Sequence, residues 1–321
     1  MLQRLFRAVY KYDVAATLSL TIFPDLVDTE RLFENKQHNA FQIFLLKMYI
    51  TFFSNQQISR DGMDMHISLH LMVYRLLLLL LAVAIGQPIP LQAQDAPEYT
   101  VYRSGTPIEI DGQLDEPAWT GAPDVGSFVF PWYESGKREQ TVAKLLWDDT
   151  HLYVAFICED EYIWAEHTER DSAVYLDDAV EVFTAPNPDR PRAYFNIEMN
   201  VLGIFLDNFQ SGQPAANRRE NWDGKGIRIK TTIKGTLNDD SDRDEYWILE
   251  AAIPFKNFAQ VARHTPPEKG DVWHLNLNRL GGNRNEQFSQ WSPSQTAKPD
   301  FHVPEDFGRV IFSDMTSPFG R

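Results

Sequence analysis

The chain reads as an all-β protein, an antiparallel β-sandwich with one short helix. Apolar and polar residues alternate along residues 147–156, 177–183 and 194–200, the period-two pattern of half-buried antiparallel strands. Further short strand-like segments recur between clusters of Gly, Pro, Asn and Asp, with no alternating series of helices, which argues against a parallel sheet. A single cysteine, Cys158, excludes any disulfide within the chain, so the fold must rest on a hydrophobic core.

Residues 1–71 mix Phe, Gln, His and Asn without a period and give no element. Met72-Val73-Tyr74-Arg75 then precedes an uninterrupted apolar run, residues 76–85, followed by Gly86, Pro88, Pro90 and Ala93. A short basic region, an apolar core of about ten residues and a small closing residue are the parts of a secretory signal peptide. The run falls short of the roughly 20 apolar residues that a membrane span needs. The expected organisation is therefore a mis-assigned or disordered upstream segment at 1–71, a signal peptide at 72–93 and one sandwich domain at 94–321. Translation would begin at Met72, or at Met63 or Met65. The alternative is a cytoplasmic extension followed by a membrane anchor. No cysteine closely follows the apolar core, so no lipid anchor is expected, and the expected location is secreted or periplasmic.

Within the domain, residues 147–156 read as a turn-flanked strand pair. Strands follow at 177–183 and 194–200, then at 204–208, 227–233, 246–253, 273–280 and 308–312. Loops are marked by residues 185–188, 238–242 and 265–267. Only 255–263 looks helical. Trp119, Trp147, Trp247 and Trp273 are expected in the core, and Cys158 as a small buried apolar residue. Trp291 could face either way. Trp164 and Trp222 lie in acidic loops without an apolar partner in the sequence; each either faces a ligand or caps an edge of the sandwich.

Charge narrows the partners. Residues 1–93 balance to +1 while the whole chain is −15, so the remainder carries −16. Such a surface repels nucleic acid and anionic lipid and favours neutral or cationic ligands and calcium. The strands also carry an unusual choice of polar residue: Asp178, Glu181, Asn196, Glu198 and Asn200, beside Tyr175 and Tyr194. Aromatic faces cover the C–H faces of a sugar ring, and carboxylates and amides take its hydroxyls.

Several landmarks occur in order: Ile110-Asp111-Gly112-Gln113-Leu114-Asp115-Glu116-Pro117-Ala118-Trp119, the 147–156 strand pair, residues 178–183 and 195–200, Asn221-Trp222, residues 250–255, Trp273-His274-Leu275-Asn276, Gln290-Trp291-Ser292-Pro293 and the closing 304–312. Together they resemble the carbohydrate-binding family 9-like domains of the DOMON-like β-sandwich superfamily, over about residues 108–312. The resemblance implies a secreted module that binds sugar non-covalently and assists polysaccharide breakdown, alongside a separate glycoside hydrolase. In the best-defined sugar binders two aromatic rings sandwich a terminal sugar. Matched motif by motif, these fall on Tyr175 and Phe301, the acid of the Asp-x-x-Glu strand on Glu181, and the polar residue of the following strand on Asn196. The family pattern has tryptophan at both ring positions and arginine where Asn196 stands, so a cationic hydrogen-bonding fork is lost here.

The candidate ligand set is thus Tyr175, Glu181, Asn196, Glu198, Asn200 and Phe301, with Trp164 or Trp222 as further walls. Asp111, Asp115 and Glu116 could bind calcium through hard oxygens, or form a solvated turn. Two other functions stay open. Glu181 and Glu198 are the more plausible facing pair for a glycoside hydrolase, since Asp178 and Glu181 have opposite parity on a strand. Some DOMON-like domains hold haem iron through a methionine and a histidine or lysine, for which Met199 and His274 are the strand-borne residues. No catalytic residue is assigned, and nothing resembles a nucleophile elbow, a phosphate-binding glycine loop or a zinc cluster.

Overall fold

The computed structural model describes residues 96–212, 219–220, 222–282 and 284–317, with no side-chain detail at 219–220. All belong to one compact unit, Ala93–Arg321. The segments read as upstream extension and signal peptide, and Asn221 of the Asn-Trp landmark, lie outside the described residues.

Among the described residues twelve strands form one continuous sheet: β1 Glu98–Arg103, β2 Thr141–Trp147, β3 His151–Glu159, β4 Ala179–Ala185, β5 Tyr194–Asn200, β6 Phe205–Gln210, β7 Arg219–Glu220, β8 Arg228–Lys234, β9 Tyr246–Pro254, β10 Val272–Gly281, β11 Gln287–Gln290 and β12 Gly308–Thr316. Their spatial order is β7-β6-β5-β4-β10-β12-β1-β2-β3-β9-β8, with β11 also on β10. The sheet curls into two leaves that meet at β1, whose pairings with β12 and β2 are both parallel; the other strand pairings are antiparallel. One core cluster takes Val180, Val182, Phe195, Ile197, Leu275 and Leu277 from the first leaf and Leu145, Val154, Phe156, Leu249 and Ala251 from the second. Those residues occupy alternate positions on their strands, so the period-two pattern in the sequence is the inner face of the sandwich.

The expected core tryptophans are there: Trp119, Trp147, Trp247 and Trp273 are all buried, and Trp291 joins them. Phe312 is the hub, edge-to-face with Trp147 at 5.2 Å and with Trp273 at 5.0 Å, each such pair adding about 0.5–1.5 kcal/mol beyond its area. Cys158 is buried in the same cluster, and burial pushes its thiol up to about 12. Met199 also points into this core. His274 sits on the other face of the first leaf, across from Ala185, so the two cannot share an iron.

The segment read as 255–263 helix is a 3-10 turn, Phe255–Phe258, followed by further turns. Phe255, Phe258 and Val261 are all buried in the core. Their spacing of three suits a 3-10 turn rather than the 3.6-residue stripe of an α-helix. Among the described residues the α-helix is α1, Pro117–Gly121, with proline in its first turn, where the missing N–H costs nothing. It belongs to the leading segment that covers the outer face of the second leaf, where Trp119 and Ile108 pack on Leu146, Tyr153 and Ala252.

Glu250 on β9 pins that segment. One carboxylate oxygen accepts the Trp119 indole N–H at 2.9 Å and the other accepts Asp111 N and Gly112 N, each at 3.1 Å. Gly112 has φ +85°, and a Cβ there would lie 2.9 Å from the Thr231 carbonyl carbon; only glycine allows both the conformation and the approach.

Candidate functional site

The opposite outer face, that of the first leaf, carries most of the polar candidates. Cross-strand register sets their positions. Gln290, Asn278, Glu181 and Glu198 stand in one row across β11, β10, β4 and β5. The neighbouring row holds Asn276, Phe183, Asn196 and Asn208. Glu181, Asn196, Glu198, Asn276, Asn278 and Gln290 are all buried, which is unusual for acids and amides on the outside of a sandwich leaf. The segment carrying Phe301, His302 and Phe307 packs on the same face, against Phe183 and Tyr194. Tyr194 OH and His302 Nδ1 lie 2.8 Å apart.

Two amide nitrogens within these rows are committed to the acids. Asn196 Nδ2 donates to Glu198 Oε1 at 2.7 Å and Asn278 Nδ2 donates to Glu181 Oε2 at 3.1 Å. Each amide oxygen is thereby turned away, and Asn196 Oδ1 and Asn278 Oδ1 are buried without a protein partner, as are Gln290 Nε2 and Asn208 Nδ2. Of the eight buried side-chain polar atoms left unpartnered among the described residues, these four lie on this one face. Burial, and then the Glu198 carboxylate across from it, push Glu181 well above the ordinary carboxylate range, against a smaller pull from the Asn278 amide.

Other predicted residues serve the frame instead. Asn200 is saturated: its Nδ2 donates to His167 O and Asp177 Oδ2, both at 2.8 Å, while its Oδ1 accepts Leu202 N at 3.1 Å and Ile204 N at 3.0 Å. Asp177 accepts Glu166 N and His167 N. Asp178, just ahead of β4, accepts Trp164 N and Gly282 N, both at 2.6 Å. Burial, with Asp160 nearby, pushes Asp178 up to about 8, against the pull of Arg279 and those two amides. Asn238 clasps both the N–H and the C=O of Ala165 at 2.8 Å. The Trp164 loop is thus held rigidly, and its ring is half-buried with the indole N–H on Glu166 at 3.3 Å.

Trp222 does not wall the cleft. Its ring packs on Phe195 at 4.7 Å and on Phe258 at 6.3 Å, on the core side of β5, and its N–H donates to Asn257 O. A loop aromatic takes whichever face has an apolar hole, and here that is the inner one. Asp111, Asp115 and Glu116 do not converge either. Among the described residues no group of three or more His, Cys, Asp or Glu could hold a metal ion. Asp111 Oδ1 accepts Gln113 N and Glu116 Oε1 accepts Glu109 N, local bonds that shape the turn.

Of the two expected rings, Tyr175 is 40 % exposed on a 3-10 turn, Val174–Leu176, which abuts β4 and β5. Phe301 is only 7 % exposed. It lies between Trp132 at 5.6 Å and Phe288 at 6.2 Å. Asn278, Asn208 and Trp132 are not among the residues that the sequence singles out, and Gln290 enters there only as part of a landmark. The alternation His274, Asn276, Asn278 does mark Asn278; nothing local marks Asn208 or Trp132. The Glu181–Glu198 pair sits side by side on one surface, one strand apart, rather than on opposing walls that would flank a scissile bond.

The model of carbohydrate-binding family 9 matches residues 128–312. The chain belongs to carbohydrate-binding family 9. The match takes in both polar rows, Tyr175, Trp132 and Phe301. Among solved structures, a candidate carbohydrate-binding protein of Bacteroides uniformis superposes with a TM-score of 0.57 at 19% identity, over 68% of this chain and 100% of its own. A family 9 module of Caldicellulosiruptor kristjanssonii in complex with cellotriose gives 0.47 at 18% identity, over 68% and 94%. The same organism's family 9 module with glucose gives 0.46 at 18%, over 68% and 96%. No curated protein matches the chain. The curled all-β sheet is the family 9 sandwich.

Proposed function

We propose that this family 9 domain binds carbohydrate non-covalently on the outer face of its first leaf, through Glu181, Glu198, Asn196 and Asn278, with Tyr175 at the margin. The observation that carries the reading is the set of four unpartnered amide atoms, two acceptors and two donors, beside a pair of buried acids. Each unmet buried polar atom costs roughly 1–3 kcal/mol. A ligand offering several hydroxyls, each both donor and acceptor, meets them in one binding event. Family membership supports the same ligand class. The apolar run 76–85 between Arg75 and Ala93 supports export, and so a role outside the cytoplasm; a separate glycoside hydrolase is the partner that such a role would serve.

The test is calorimetry of the protein against a panel of mono- and oligosaccharides, with and without calcium, with released reducing sugar assayed in the same samples. Saturable binding without release is expected. Binding to no sugar would sink the proposal. Release that disappears in Glu181→Gln would make the protein a glycoside hydrolase.

A further inference from the structure

Resting on that reading, we infer that Trp132 is a stacking ring of the site and that Phe301 is its support. Phe301 is 7 % exposed and packed against Trp132 and Phe288, so little of its ring is open to cover a sugar. Trp132 is half-buried, packed on the same aromatic cluster over the outer face of the first leaf. Its orientation is fixed by two contacts: the ring lies on Phe301, and its indole N–H donates to Thr296 O at 2.8 Å. A ring held this way loses little freedom on binding.

The backbone explains why it reaches this face. Val129 bridges Gln290 in both directions, Val129 N to Gln290 O at 2.9 Å and Gln290 N to Val129 O at 3.0 Å. That bridge extends the polar row Gln290–Asn278–Glu181–Glu198 by one more strand-like segment. A turn closed by Tyr133 N on Phe130 O follows, with Pro131 and Trp132 at its tip. Trp132 therefore follows the β11 end of the row, and the turn that carries Tyr175 abuts β4 and β5, the strands of Glu181 and Glu198.

The experiment compares wild type, Trp132→Ala, Trp132→Phe and Phe301→Leu in the sugar calorimetry, with thermal unfolding as a fold control and tryptophan fluorescence as a second readout. Trp132→Ala is expected to weaken binding roughly tenfold or more, with Trp132→Phe recovering most of it. Phe301→Leu should weaken binding less than Trp132→Ala. The ligand-induced fluorescence change should shrink in Trp132→Phe. Wild-type affinity in a folded Trp132→Ala protein would overturn the inference and leave the carbohydrate reading standing. Should Trp132→Ala fail to fold, Trp132→Phe decides: a fluorescence change of wild-type size overturns the inference, and a reduced one upholds it. No sugar binding by wild type would remove the reading on which the inference rests.

Discussion

Glu181 on β4 stands directly opposite Glu198 on β5, both buried on one face, and each takes a hydrogen bond from the amide of an asparagine on its own face, Asn278 and Asn196. Like charges directly opposite on neighbouring strands destabilise a sheet by roughly 0.2–1 kcal/mol. A cost of this kind is common where a surface serves binding rather than stability.

The first prediction concerns pH. Glu181 in the folded protein titrates above its ordinary value of 4.5, so between the two the folded state holds a proton that unfolding releases. Stability therefore falls as pH rises through that window and is greatest below it. Glu181→Gln should remove this slope and gain about 1 kcal/mol at pH 8, while differing little from wild type at pH 4. Asp178, pushed up to about 8, supplies a slope of the same sign that the substitution leaves in place. Urea midpoints at pH 4, 6 and 8 test this; a Gln variant with an unchanged slope would refute it.

Tyr175→Ala should separate binding from folding. At 40 % exposure its loss should shift stability by no more than about 0.5 kcal/mol, while sugar affinity falls at least several-fold. Calorimetry and thermal unfolding on the same preparation measure both. Trp222→Leu should do the reverse, costing roughly 2–3 kcal/mol of stability through the Phe195 and Phe258 contacts with affinity unchanged.

Glu250→Ala should strip the clamp on the leading segment. Three donors, Trp119 Nε1, Asp111 N and Gly112 N, lose their acceptor, for an expected cost of about 3 kcal/mol or more. Hydrogen exchange should show faster exchange confined first to residues 108–122. Loss of protection spread evenly over the sandwich would count against a local clamp.

Arg279 is a fully buried cation. Its guanidinium donates to Glu159 O at 2.6 Å and to Asp160 Oδ2 at 2.8 Å. Arg279→Met leaves Asp160 buried without its counter-charge and should cost roughly 3–5 kcal/mol. Adding Asp160→Asn should recover part of that, a coupling that a double-mutant cycle in urea reads directly.

Much of this architecture was legible from alternation alone. Tyr194–Asn200 and the seven other patterned segments point to the inner face, because successive side chains of a strand alternate between its two faces. What alternation cannot register is brevity and context. Gln287–Gln290 has four residues, too few to show a pattern, and Glu98–Arg103 gains its meaning only between β12 and β2. Sharing a face with Glu198 makes Asn200 look like a ligand residue, yet the turn right after it takes its Oδ1, while His167 O and Asp177 take its Nδ2. Trp132 and Trp222 are both loop tryptophans; their fates differ because Trp222 finds Phe195 on the inner face and Trp132 finds Phe301 on the outer one.

The pairing of β1 with β12 joins residues 98–103 to residues 308–316. That seam spans almost the whole domain in sequence, so its closure carries the slow kinetics of a long loop. A ribosome delivering this chain from its first residue onward hands over β1 long before its neighbour exists. Until the last strand emerges, β1 has an open flank, and the molecule behaves as a clasp whose two halves are made at opposite ends of synthesis.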